Sequence, residues 1–333
     1  MLATPKQGSA NAPEASASDQ TATPYSLHDL PLVNDSPRSR GRIRCEVTDF
    51  KVDEELPFTP TDEGEHLLVR VRKINRTTHD VQQQLARTFR LRIRDVGYLG
   101  LKDKRSVSTQ WFSVAVPAPV DSFAAPDLEI LQQRRHIRKL RPSDGCRNQF
   151  EILVRDVEPT HVSSSRMCTV PNYFGEQRFG RDGQNVSAAM KWIHEGKPRV
   201  ASFVKSIYLS SLRSYIFNHV LAARVDRGDW FKGIEGDVLL DGLPSGPLWG
   251  RGRLSTSSLA QRIEQDVVES VAEIAEALEW VGLKQQRRPL AVAPICLNCK
   301  TDMDIARVRF ALPSGSFATS VLRECFDLEE RWR

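Results

Sequence analysis

The 333-residue sequence predicts an α+β fold in which a largely helical segment interrupts a mixed or antiparallel sheet. Three observations carry that prediction. In the first half, apolar and charged side chains alternate with the two-residue period of strands, as over residues 50–54 and 67–72. From about residue 169 the texture changes to helices and glycine-punctuated loops, with Ile263, Val267, Val271, Ile274 and Leu278 at spacings of three and four. Near the C-terminus the alternation returns, Ala306, Val308, Phe310 and Leu312 against Arg307, Arg309 and Ala311, so the last strand rejoins the sheet begun by the first half.

The elements follow in order. Residues 1–40 hold Ala, Ser, Thr, Pro, Gln and Asp with few large apolar groups, too few to offset the entropy of ordering, and read as a flexible tail. Phe50 and Val52 open a strand, and Leu67, Val69 and Val71 form another whose alternate positions include Arg70 and Arg72. Thr78 offers an N-cap for a helix carrying Val81, Leu85 and Phe89 on one stripe. A glycine-rich turn over residues 97–105 leads into a strand at 111–116, and Phe150, Ile152 and Val154 mark the next. The stripe from Ile263 to Leu278 reads as a single helix bearing Glu264, Asp266, Glu269, Glu273, Glu276 and Glu279, and Ser316 reads as the cap of a closing helix through Val321, Leu322 and Cys325.

Composition narrows the function. With 40% hydrophobic and 27% charged residues the chain can bury a sizeable core, and no run of about 18 apolar residues offers a membrane span. No basic stretch followed by an apolar segment and a small-residue cleavage site opens it, so a cytoplasmic location is expected. Only Cys296 and Cys299 among the six cysteines form a CxxC pair, and no second pair or histidine pair completes a zinc site, so no metal is expected. Net charge is +5, but the basic residues cluster in the first half at 38–44, 70–76, 87–105 and 134–147, which points to phosphate contact. The GxGxxG, P-loop, HExxH and GxSxG patterns are absent, removing the usual signatures of dinucleotide redox, nucleotide hydrolysis, zinc proteolysis and serine hydrolysis.

Three stretches remain. In Gly100-Leu101-Lys102-Asp103-Lys104-Arg105 an acid sits among cations, which favour its ionised form and hence a base or nucleophile; on composition alone a surface turn acid is the better reading. Residues 171–181 mix aromatics, amides, glycines and arginines, the makings of a base-stacking and phosphate-holding surface or of an aromatic core pinned by a tight loop. Residues 312–324 read as a turn and a capped helix.

These three motifs, in this order, with Thr109-Gln110-Trp111, Phe50-Lys51-Val52-Asp53-Glu54 and Gly64-Glu65-His66, strongly resemble the TruD family of tRNA pseudouridine synthases over about residues 41–333. The resemblance implies isomerisation of uridine to pseudouridine in tRNA, typically uridine 13 of the D arm, without cofactor or metal. It implies a permuted pseudouridine-synthase catalytic domain, residues 41–168 plus 297–333, interrupted by a family-specific domain, residues 169–296. Asp103 matches the catalytic aspartate of the GxKD motif, acting by attack on the anomeric carbon or by removing a neighbouring sugar proton to give a glycal. Phe50, Phe150 and Phe317 match positions surrounding the uridine, Asn148 the amide that contacts it, and Arg44 a basic position expected to hold phosphate. Lys102, Lys104 and Arg105 are expected to keep the aspartate ionised or to bind the adjacent phosphate. Thr77, where the family commonly has asparagine, and Arg181-Asp182 depart from the pattern. tRNA is the expected partner and a monomer the expected state. The alternatives are a catalytically idle RNA-binding or chaperone protein, or a synthase acting on another RNA.

Overall fold

The structure, a computed structural model, describes residues 25–34, 36–117, 119 and 125–330. The first half contributes β1 (Ser39–Ile43), β2 (Phe50–Glu55), β3 (His66–Ile74), helix α1 (Thr78–Thr88), β4 (Gly97–Tyr98), β5 (Val107–Ala115), β6 (Leu128–His136) and β7 (Arg147–Arg155). The chain then leaves that sheet for the short β8 (Val170–Pro171), α2 (Gln184–His194), the 25-residue α3 (Ser202–Asp226), β9 (Leu239–Leu240), β10 (Leu243–Leu248), α4 (Ser258–Ser270), α5 (Ala272–Glu279), β11 (Gln286–Pro289) and β12 (Ala291–Val292). It returns through β13 (Ile295–Asp302), β14 (Ile305–Pro313), α6 (Ala318–Leu322) and β15 (Phe326–Glu330).

Ten strands form one mixed sheet whose main path runs β13-β14-β7-β2-β5-β3-β6, with β1 bridging β7 and β15 and β4 beside β5. The central pairing is long range: Phe310 on β14 lies opposite Phe150 on β7, and Val52 on β2 lies opposite the same Phe150. The alternation read from the sequence is thus the sheet's pleat. Phe50, Val52, Ile152, Val154, Val308, Phe310 and Leu312 share a core with Val321 and Leu322 of α6, while Leu67, Val69 and Val71 pack on Val81 and Leu85 of α1. The helices between β8 and β12 form a second core around Leu212, Ile216, Phe217 and Val220 of α3, with Trp192 and Leu278.

Four expectations need correction. The tail does not extend to residue 40: Leu27 and Leu30 are buried in the helical core, Arg323 donates to their carbonyls at 3.0 and 2.7 Å, and β1 pairs in parallel with β15. A composition argument misses this because a few apolar side chains suffice when their partners lie almost 300 residues away. Residues 1–24 of that tail lie outside the described residues. The acidic stripe is two helices, broken at Val271 (φ −129°, ψ 35°). Thr77 rather than Thr78 caps α1, its hydroxyl accepting from the Asp80 amide at 3.1 Å, so the departure from asparagine keeps the capping chemistry. Phe317 rather than Ser316 occupies the N-cap of α6, without a side-chain cap.

Candidate active site

Asp103 sits on the loop between β4 and β5, and burial of polar groups behind that loop explains its conformation. Four side chains on neighbouring elements grip its backbone. Gln110 of β5 donates to the Gly100 carbonyl, and the Thr78 hydroxyl accepts from the Lys102 amide at 2.9 Å while donating to Gln110 Oε1 at 3.0 Å. The Asp103 carbonyl accepts from Ser106 Oγ at 2.8 Å and from Lys73 Nζ at 2.8 Å, and Lys73 also donates to the Arg76 carbonyl at 2.6 Å. All four side chains are essentially inaccessible to water. Burial pulls the Lys73 ammonium down to about 8, against the attraction of Asp103. None of these four was anticipated as a site residue, yet Lys73 carries a signal: it stands in phase with Leu67, Val69 and Val71 on the buried face of β3, where a cation is expensive unless it is used.

The Asp103 side chain is 41% exposed, and its Oδ2 accepts from Arg44 Nη2 at 2.5 Å. Arg44 is itself 4% exposed, lies 4.2 Å over the Phe50 ring, and holds a left-handed backbone (φ 57°) just beyond β1. That conformation carries strain for a non-glycine residue, about 1–2 kcal/mol, and it aims the guanidinium at the carboxylate. Arg44, expected to hold phosphate, is here engaged by the Asp103 carboxylate. Lys102 is likewise engaged: its ammonium forms a buried ion pair with Glu54, which also accepts from the Trp111 amide at 3.0 Å. Burial pushes the Glu54 carboxyl up, opposed chiefly by Lys102. Lys104 is exposed and Arg105 donates to the Cys45 carbonyl at 3.1 Å, and neither lines the cavity that Asp103 faces. The cations adjacent in sequence are thus not the ones the aspartate meets.

That cavity, about 570 Å³, is bounded by Arg44, Phe50, Lys102, Asp103, Asn148, Phe150 and Phe317 together. It falls within the ~300–1,000 Å³ of ordinary small-molecule sites. Phe150 meets Phe50 edge to face with centroids 6.1 Å apart and lies 5.5 Å from Phe310. Phe50 is 2% exposed, so it backs Arg44 rather than offering an open face. Asn148, between Glu54 and Leu312 in the sheet, presents its amide on the wall, with the Cys146 thiol at 3.9 Å from Oδ1. Phe317 comes from the turn before α6 and packs at 5.7 Å from Phe174. Gly175 makes that approach possible: a Cβ there would lie 2.8 Å from the Phe317 ring. The aromatics of residues 171–181 divide accordingly, with Tyr173, Phe174 and Phe179 buried as core and Gln177 and Arg178 on the cavity. Among the described residues no group of three His, Cys, Asp or Glu side chains is disposed to hold a metal ion.

A solved structure from Methanosarcina mazei, described as a tRNA pseudouridine synthase D, superposes with a TM-score of 0.61 at 22% identity, covering 89% of this chain and 95% of that one. Its fold is shared. Fold and family comparison together place the chain in the pseudouridine synthase class of α+β isomerases. The model of the tRNA pseudouridine synthase D (TruD) family matches residues 29–204. tRNA pseudouridine synthase D of Methylococcus capsulatus is 37% identical over 336 residues, 90% of this chain and 95% of that protein, and that of Aeromonas salmonicida is 37% identical over 337 residues, 91% and 96%. The chain belongs to the TruD family of pseudouridine synthases.

Proposed function

We propose that this protein isomerises uridine to pseudouridine in tRNA, at uridine 13 of the D arm, with Asp103 acting on the sugar. The observation that carries the reading is a carboxylate held by Arg44 at the mouth of a cavity that also presents an amide and aromatic rings. The reaction breaks the N1–C1′ bond, turns the uracil and forms a C5–C1′ bond, the proton lost from C5 being balanced by one gained at N1, so no electrons are transferred and no group leaves. Asp103 either adds to the anomeric carbon, to be displaced when the new bond forms, or takes a proton from the neighbouring sugar carbon and returns it. Both routes need a carboxylate fixed beside the ribose, and the backbone clamp by Lys73, Ser106, Thr78 and Gln110 supports that role.

A base stacked inside folded tRNA is out of reach, so the nucleotide is extruded at a cost of a few kcal/mol, offset by stacking and phosphate contacts. Phe150 and Phe317 supply stacking, Asn148 matches the donor and acceptor edge of uracil, and Phe50 and Arg44 hold the aspartate. Lys102 supports the loop from within, and Lys104 and Arg105 are left to meet RNA outside the cavity. Residues 41–168 with 297–333 form the catalytic domain and 169–296 the inserted one. The protein works in the cytoplasm as a monomer.

Incubating it with unmodified tRNA and mapping pseudouridine nucleotide by nucleotide tests the reading. A single new pseudouridine at position 13 is expected. No product refutes the activity, and product at another position or only in another RNA refutes the assignment of the target.

A further inference from the structure

We propose that Arg178 is the ligand for an RNA phosphodiester that enters the cavity with the target nucleotide. Arg178 ends a short turn (Glu176–Arg178) after Gly175 and lines the same cavity as Asp103, its guanidinium carbon 5.4 Å from the Phe174 centroid and 5.8 Å from that of Phe317. Its Nε is buried without a hydrogen-bond partner. Every other buried or half-buried arginine among the described residues donates to a carboxylate or a carbonyl. Among the described residues Arg178 has no such acceptor and no carboxylate within ion-pair reach.

Its charged neighbour makes the case stronger. Arg288 packs on the same Phe174 ring, 4.2 Å from its centroid, and donates to the Asn172 carbonyl and amide oxygens and the Gly315 carbonyl. Two guanidinium groups therefore share one aromatic ring, and among the described residues neither forms an ion pair with a carboxylate. Burial depresses both, as expected for cations left without a counter-charge. An uncompensated buried charge is costly, and a phosphodiester, with two free oxygens, satisfies a guanidinium fork in a way that a neutral base carbonyl does not. Because Arg178 belongs to the segment that leads into the helices and Asp103 to a loop of the sheet, a nucleotide held by both would have its phosphate on one wall and its sugar on the other.

This inference rests on the proposed activity, and its test separates the two. tRNA is assembled with one neutral methylphosphonate linkage on the 5′ or the 3′ side of the target uridine. Affinity for the unaltered protein and for Arg178→Gln is then measured across a salt series. The expected result is a loss of about tenfold or more for one of the two linkages with the unaltered protein. Arg178→Gln should lose the same factor with all-phosphate tRNA, be indifferent to the neutral linkage, and show a salt slope shallower by about one, with Arg178→Lys restoring the slope. Equal penalties for the neutral linkage in both proteins, or an unchanged affinity and slope in Arg178→Gln, overturn the assignment. Should Arg178→Gln fail to fold, the absence of any penalty for either linkage with the unaltered protein overturns it as well. Pseudouridine formation on all-phosphate tRNA is read in the same experiment, and its absence strikes the proposed activity alone.

Discussion

Replacing Lys73 with methionine removes the ammonium behind Asp103 while keeping the length of the side chain. Holding a fully buried ammonium at about 8 rather than at its ordinary 10.5 costs about 3 kcal/mol at neutral pH, at 1.36 kcal/mol per tenfold. Methionine relieves that cost but leaves the Arg76 carbonyl without its donor and the Asp103 carbonyl with Ser106 alone, at about 1–3 kcal/mol each. The two effects nearly cancel, so Lys73→Met should lie within about 3 kcal/mol of the parent at pH 7. The sign of the pH dependence is distinctive. Between about 8 and 10.5 the unfolded chain keeps the proton that the folded chain has lost, so the parent gains stability as pH rises through that window. The gain attributable to Lys73 is about 2 kcal/mol between pH 7 and 9.5. Urea unfolding of both proteins at the two pH values isolates it as a difference. Single-turnover isomerisation should fall by about 100-fold, the scale of a carboxylate displaced by about 1 Å. Identical pH dependence in the two proteins, or a variant with parental activity, would refute the positioning role.

Further expectations follow from the same geometry. Glu54→Gln leaves the Lys102 ammonium buried without its partner and should destabilise the protein by about 3–5 kcal/mol in chemical denaturation, with Lys102→Met in the same chain recovering most of the loss. Arg44→Leu should lower kcat by about 100-fold with little change in KM for tRNA, because its guanidinium orients Asp103; a raised KM with unchanged kcat would return Arg44 to phosphate binding. Leu30→Ala should cost about 2–5 kcal/mol in thermal or urea unfolding, and an unchanged stability would mean that the segment before β1 is not docked.

Much of the sheet was legible because each strand repeats one pattern locally: β3, β7 and β14 alternate apolar and polar positions whatever they pair with. The same period places Glu54 in phase with Phe50 and Val52, and Lys73 in phase with Val71, so the inward charges that support the site were visible as breaks in an apolar face. What pairs with them was not visible. Lys102 meets Glu54 across 48 residues and Asp103 meets Arg44 across 59, and nothing local in the chain encodes such contacts. The cavity aromatics and Asn148 came from a family resemblance rather than from pattern, since a phenylalanine on a strand looks the same whether it faces a core or a substrate. The break at Val271 was hidden because the apolar spacing of three and four continues across it.

The most direct measurement compares the parent with Asp103→Asn on the same unmodified tRNA, reading affinity and pseudouridine yield side by side. The variant should bind tRNA within a few-fold of the parent and form no pseudouridine over many parental turnovers. Product accumulating at a comparable rate in Asp103→Asn would mean that another group acts on the ribose, and the assignment of this carboxylate would be wrong.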